Sequence, residues 1–311
     1  MNRHHYSGPA HKISMLLALL LALILPGMAH SQVVGNGYNN SLIYKIQSDT
    51  NTVYLMGSIH VLAEEYYPLT RAFSYAYYNS QKVVFEIDPE ILFSPDFMKK
   101  NEKYYTFQDG KTLKSVLSPK AFSLLKKHLE SMGLNMNKVN KYKPWALLLS
   151  LGKRSKSSLE FRSDLGIENY FFRLAKDAGK PTGGLETTED QLNVFDKLTF
   201  KEQGKLIIDA FTSKSPKEQE KEFLTLVKNW HQGNLAELER NVEEGKKYPK
   251  LHKAILEDRN RNWIPQIEEF LKEDKNVLVV VGAAHLAGEY GLLTLLTEKG
   301  YELERFSFVM P

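Results

Sequence analysis

The chain has 311 residues, no cysteine, 42% hydrophobic residues and a formal net charge of +4. That length allows one large domain or two small ones, and the ordinary apolar and charged fractions exclude wholesale disorder and fibrous repeats. Without Cys there is no disulfide framework, Cys-based zinc site or thiol nucleophile. Lys and Glu are interspersed, with no long basic block of the kind that grips nucleic acid.

Residues 1–31 read as a secretory signal peptide. Arg3 and Lys12 give a positive start, Ile13 to Leu25 is an almost pure apolar run, and Pro26-Gly27 breaks it. Ala29-His30-Ser31 offers small residues where a signal peptidase reads, which predicts cleavage after Ser31. A run of about 13 residues is too short to span roughly 30 Å of hydrocarbon. No Cys follows it, which excludes a lipoprotein. The expectation is a single exported domain, 32–311, periplasmic or secreted, with no stable membrane anchor. The leader takes away two basic and no acidic residues, leaving 39 basic against 37 acidic and five histidines: His60, His128, His231, His252 and His285.

Ser41–Gln47 and Thr52–Met56 alternate like strands around the turn Ser48-Asp49-Thr50-Asn51, a predicted β-hairpin. Pro68 opens a helix through about Asn79. Lys82–Ile87 is a short buried-type strand ending at Asp88-Pro89. Residues 94–180 read as mostly helical, with helices beginning at Ser118-Pro119, over Asn137–Ser150 and over Gly166–Ala178. Pro181–Leu185 is a short strand before a helix from Thr188, and residues 200–273 are helical and charge-rich. Asn276–Val281 is the clearest buried strand. A helix over Gly288–Lys299 and a strand over Tyr301–Phe308 close the chain. Strands at both ends and helices between them predict an α/β fold: a central mixed β-sheet formed by the N- and C-terminal parts, carrying a large helical insertion.

Two histidines share one pattern. Gly57-Ser58-Ile59-His60 and Gly282-Ala283-Ala284-His285 each follow an apolar strand. Chance places Gly three residues before two of five histidines in roughly 5% of such chains, from the ordinary glycine frequency. In an open α/β sheet, ligands bind beyond the carboxyl ends of strands. An imidazole there suits acid/base work or metal ligation. Glu86 interrupts a third apolar strand at its carboxyl end, where a carboxylate must be paired, hydrogen-bonded or on a metal. A lone histidine is more often structural, but three strand ends together favour function. His60, Glu86 and His285 could hold a divalent ion with a position open for water, or Glu86 could act as a general base. Glu186 repeats the strand-end theme. Arg259-Asn260 lies in a helix ahead of Trp263, either as a solvated face or as an anion contact. His128, His231 and His252 read as surface residues. There is no HExxH, P-loop, GxSxG or GxGxxG.

These segments resemble the TraB/GumN family, which includes the Tiki-type proteases. The resemblance rests on SLIYKIQ…TVYLMGSIH, VVFEIDPE, GLETTEDQLNVF, DRNRNWIPQIEEFL and VLVVVGAAHLAGEYGLLTLLTEKGY, and covers nearly the whole mature chain. It implies a mixed-sheet α/β fold related to erythromycin-esterase-like and ChaN-like domains, and a metal-dependent peptidase acting on a peptide or protein. Matched residue by residue, it points to His60, His285, Glu86, Arg259 and Asn260, with Glu186 and Gln191 from the middle motif. Relatives often have Gly-x-Asp where this chain has Gly166-Ile167-Glu168, so Glu168 is left outside the core site. The first expectation is a metal-dependent hydrolase in which Arg259 and Asn260 steady the oxyanion. The rivals are a metal-independent, esterase-like hydrolase and a non-enzymatic peptide- or haem-binding protein.

Overall fold

A computed structural model describes residues 41–152 and 161–306. The leader and its cleavage site lie outside the described residues. Among those described, no helix is long and apolar enough to cross a membrane.

The expected hairpin forms. Strand β1 (Ile43–Gln47) runs antiparallel to β2 (Thr52–Ser58), with Ile43 opposite Met56, and Ser48 N–H closes the turn onto the Asn51 carbonyl at 2.9 Å. The other strands are β3 (Lys82–Phe85), β4 (Thr182–Gly184), β5 (Val277–Gly282) and β6 (Leu303–Arg305). They form one mixed six-stranded sheet in the order β4-β3-β5-β2-β1-β6. Strands β4, β3, β5 and β2 are mutually parallel, and β1 is antiparallel to both its neighbours. Every residue of β5 is buried, as a strand covered on both faces requires.

The helical insertion separates β3 from β5 in sequence, and among the described residues the edge strand β4 is the one strand that interrupts it. The helix expected to open at Pro68 starts three residues later, at Arg71, because Thr70 is still extended at φ −61° and ψ 154°. The helix expected over Asn137–Ser150 is two, Met136–Val139 and Pro144–Gly152. Pro144 explains the break, since it disfavours helical backbone before it. Near the C-terminus the helix is shorter than expected, Leu292–Glu298, because Gly288 is left-handed at φ 88° and Gly291 is extended at φ −68° and ψ 152°. Buried side chains of the sheet and of the surrounding helices make one continuous core.

Four parallel strands therefore end at one edge of the sheet. Register aligns Ser58 with Gly282, and Phe85 with both Val280 and Gly184. The residues just beyond these ends come from four distant parts of the sequence.

Candidate active site

Each parallel strand delivers one polar group to a common cluster, and three of them, His60, Glu86 and His285, line a cavity. His60 follows β2, Glu86 follows β3, His285 follows β5, and Glu186 follows β4. Gly282 lies among the first three. A Cβ there would stand 3.2 Å from Glu86 Oε1, 3.7 Å from His285 Cδ2 and 3.8 Å from His60 Nε2. The two imidazoles and the strand-end carboxylate thus share one site.

His285 is held from both sides. Asn260 Nδ2 donates to the carbonyls of Tyr290 at 2.7 Å and His285 at 3.2 Å, which turns its Oδ1 toward the ring. His285 Nδ1–H donates to that oxygen at 2.6 Å, and Nε2 accepts from Arg259 Nη1 at 3.1 Å. The ring is therefore the neutral Nδ1–H tautomer. Burial, the largest influence, and the adjacent guanidinium lower its pKa to about 3 against the pull of Glu86. Trp263, fully buried, packs its ring 4.5 Å from the imidazole.

Arg259 is 5% exposed and Asn260 1% exposed, so neither forms a solvated helix face. They sit on Asp258–Phe270, directly after a π-helical turn at Lys253–Glu257, the kind of irregularity that often re-aims side chains at functional sites. All five guanidinium N–H groups are engaged. Nε and Nη2 grip Glu186, Nη2 donates to Glu86 Oε2 at 2.6 Å, and Nη1 reaches the Ile255 carbonyl and His285. The expected oxyanion role finds no support in this geometry: every donor of Arg259 and of the Asn260 amide already has a partner, so both residues position the others.

Two carboxylates on one guanidinium behave differently. Burial alone would raise Glu86, but Arg259, both histidines and the Gly282 N–H (2.8 Å) hold it well below the usual carboxylate range. Glu186 lacks that backbone donor; burial dominates and raises its pKa despite Arg259. Gln191 bridges them, donating from Nε2 to Glu86 Oε2 at 3.3 Å and to Glu186 Oε1 at 3.2 Å.

Glu168, set aside on sequence grounds, belongs to the cluster. Its Oε1 accepts from His60 Nδ1 at 2.7 Å and from the Ser58 hydroxyl. The helix Ile167–Asp177 begins against the backbone of His60, where Ile167 N–H donates to the Ile59 carbonyl at 3.0 Å. A Cβ on Gly166 would lie 2.1 Å from the His60 carbonyl oxygen, so only glycine allows the helix this close. That approach puts Glu168, in the first turn, beside the imidazole. Burial lowers the His60 pKa, but Glu168 and Glu86 outweigh it and raise the value to about 9.

The remaining histidines stay away from this cluster. His128 stacks on Phe211 and His231 packs edge-on against Tyr66. His252 is a correction: it is 2% exposed, not superficial, with Nδ1 3.1 Å from Glu257. It lies where the π-helical turn begins, a bend that helical periodicity does not reveal.

The cluster opens into a cavity of about 100 Å³, several times the roughly 10–15 Å³ that one water needs. Its walls are largely apolar and include Leu92, Phe93, Leu192 and Phe195. Among the described residues, no group of three or more His, Cys, Asp or Glu stands ready arranged to hold a metal ion.

The architecture is that of an α/β protein with a polar cluster at the carboxyl edge of its parallel strands. The chain belongs to the TraB/PrgY/gumN family, whose model matches residues 42–305. It is also similar to the metalloprotease TIKI2 of Danio rerio, at 21% identity over 319 residues, covering 81% of this chain and 58% of that protein. The chain thus spans little more than half the length of this curated relative. No solved structure matches it.

Proposed function

We propose that this protein is an exported hydrolase that cleaves a peptide bond, with His60, Glu86 and His285 at its centre. The observation that carries this reading is their convergence over Gly282, with each imidazole aimed through its Nδ1 by a partner, half-buried Glu168 or buried Asn260. Such outer partners are what orient histidines that ligate metals or transfer protons. Likeness to a metalloprotease supports it independently.

The donors suit a divalent ion in charge. The cluster holds three carboxylates, Glu86 and Glu186 on the permanent cation Arg259 and Glu168 on His60, and the raised basicity of His60 expresses that excess of negative charge. His60 and Glu86 would hold the ion; His285 joins them only in exchange for its bond from Arg259. Bound there, such an ion supplies a polarised carbonyl and a water acidified toward neutrality. The protein's own residues supply the rest. Glu168 keeps His60 Nε2 directed at the cavity, Asn260 does the same for His285, and Arg259 keeps Glu86 ionised. The apolar walls exclude bulk water and strengthen these interactions.

One observation favours a metal-independent hydrolase instead: the guanidinium already occupies the His285 Nε2 lone pair. In that reading a protonated His60 donates to the leaving nitrogen. Its weakness is the base, since neither His285 nor Glu86 has a pKa near neutrality.

The test is elemental analysis of purified protein spanning 32–311, with peptide hydrolysis measured with and without chelator and after adding back Zn²⁺, Mn²⁺ or Co²⁺. Loss of activity on chelation and recovery on re-addition support the metal-dependent reading. Activity indifferent to chelator but abolished by His60→Ala supports the second. Ligand retained without turnover under every condition overturns both and leaves a binding protein.

A further inference from the structure

Gln191 lines the cavity over the cluster, and among the described residues its Oε1 is buried without a hydrogen-bond partner. The side chain is 9% exposed. Its Nε2 is fixed between the carboxylates of Glu86 and Glu186, so the amide cannot turn over: flipped, it would set its oxygen against two negative charges. Oε1 is thereby locked facing away from them, and no donor among the described residues reaches it. An orphaned buried acceptor costs free energy unless something supplies a proton donor. Gln191 begins a stretch, continuing through Leu192, Val194 and Phe195, that lines the cavity. Leu92, Phe93, Leu149 and Leu256 complete an apolar wall. One acceptor of fixed direction beside an apolar recess is the usual make-up of a small-ligand site.

Building on the reading of this cavity as a peptide-cleaving site, we propose that Gln191 Oε1 accepts the backbone N–H of a substrate residue whose large apolar side chain fills the adjoining recess. The cavity then selects peptides bearing a bulky hydrophobic residue beside the bond that is cut. Gln191 binds and orients the substrate, and the wall sets specificity. The locked orientation also selects amides: an ester in place of that N–H would set oxygen against oxygen.

Binding, measured separately from turnover, tests this. The protein spanning 32–311 is titrated by calorimetry with N-acetyl-phenylalaninamide, N-acetyl-leucinamide, N-acetyl-alaninamide, and the Phe compound methylated on its backbone nitrogen. The expected result is Phe and Leu at least about tenfold tighter than Ala, from the added apolar burial, and an N-methyl penalty of about tenfold from the lost hydrogen bond. Gln191→Met should erase the N-methyl penalty while keeping the preference for Phe over Ala. Val194→Phe should do the reverse by filling the recess. A Gln191→Met protein weakened equally toward every ligand assigns Gln191 a structural role and overturns its part of the proposal. Equal binding of Phe and Ala compounds to the unaltered protein overturns the recess. Melting curves check that each variant folds; where one does not, the comparisons on the unaltered protein decide. Peptide hydrolysis on the same preparation reads the enzymatic assignment by itself: discrimination without turnover removes the hydrolase and leaves the subsite standing.

Discussion

Replacing Arg259 by Met should be among the most damaging single changes in this protein. Met keeps an unbranched chain against Trp263, which the guanidinium now covers at 4.7 Å from the ring, but removes the cation held between Glu86 and Glu186. Breaking a buried ion pair by deleting one partner costs about 3–5 kcal/mol, because the remaining charge stays buried and unpaired. At about 2–4 °C per kcal/mol for a domain approaching this size, melting should fall by on the order of 10 °C. The deficit should depend on pH in a defined direction. Without Arg259 the Glu186 carboxyl, which burial already raises, rises further above its unfolded value of 4.5. Between that value and the raised one, the folded protein then binds more protons than the unfolded chain, so stability climbs as pH falls from 7 toward 5. Adding Glu186→Gln should restore part of the loss at pH 7, since it removes the carboxylate that burial already disfavours. Urea unfolding followed by circular dichroism at pH 7 and pH 5 measures all three effects. A loss below about 1 kcal/mol at pH 7, the range of an exposed ion pair, would refute the assignment of Arg259 as the buried counterion.

Gly282→Ala should change stability by less than about 1 kcal/mol, since its φ of −51° and ψ of 135° suit any residue. It should nonetheless cut hydrolysis at least tenfold by crowding Glu86 Oε1 at 3.2 Å; full activity would mean that substrate does not use that space. Glu168→Gln should bring the His60 pKa down from about 9 toward 6.5, read by proton NMR of the imidazole, with activity falling about 10–100-fold as for lost outer partners. An unmoved His60 titration would remove Glu168 from the site. In chelator, stability should peak near pH 6.5. The contribution of His60, raised to about 9, is complete below 6.5 and is lost as pH rises through 9. His285, lowered to about 3, refuses a proton that the unfolded chain takes, so stability also declines as pH falls from 6.5 toward 3. Each histidine contributes a slope of at most about 1.4 kcal/mol per pH unit, and a flat profile between pH 6.5 and 9 would contradict the His60–Glu168 pair.

Much of the site was legible before any fold was known, and the reason is local. A buried strand running into Gly-x-x-His is a pattern a few residues long, so His60 and His285 announced themselves, and an acid inside Val83-Val84-Phe85-Glu86-Ile87 stands out against its apolar neighbours. The hairpin, the buried β5 and the helices capped at Ser118 and Thr187 follow from equally short-range chemistry. Pairing across long sequence separations is not written in any such stretch. Sequence could say that strands end at His60, Glu86 and His285; only the parallel order β4-β3-β5-β2 brings those ends to one edge. Glu168 departs from the Gly-x-Asp pattern of relatives, and its contact with His60 depends on a helix docking against a backbone more than a hundred residues earlier. The Arg-Asn pair looked suited to an oxyanion until packing assigned every one of its donors to carboxylates, carbonyls or His285. Residue type and spacing determine which groups are available for chemistry. Their partners, and hence their charges and directions, depend on desolvation and on contacts that exist only once the sheet has closed.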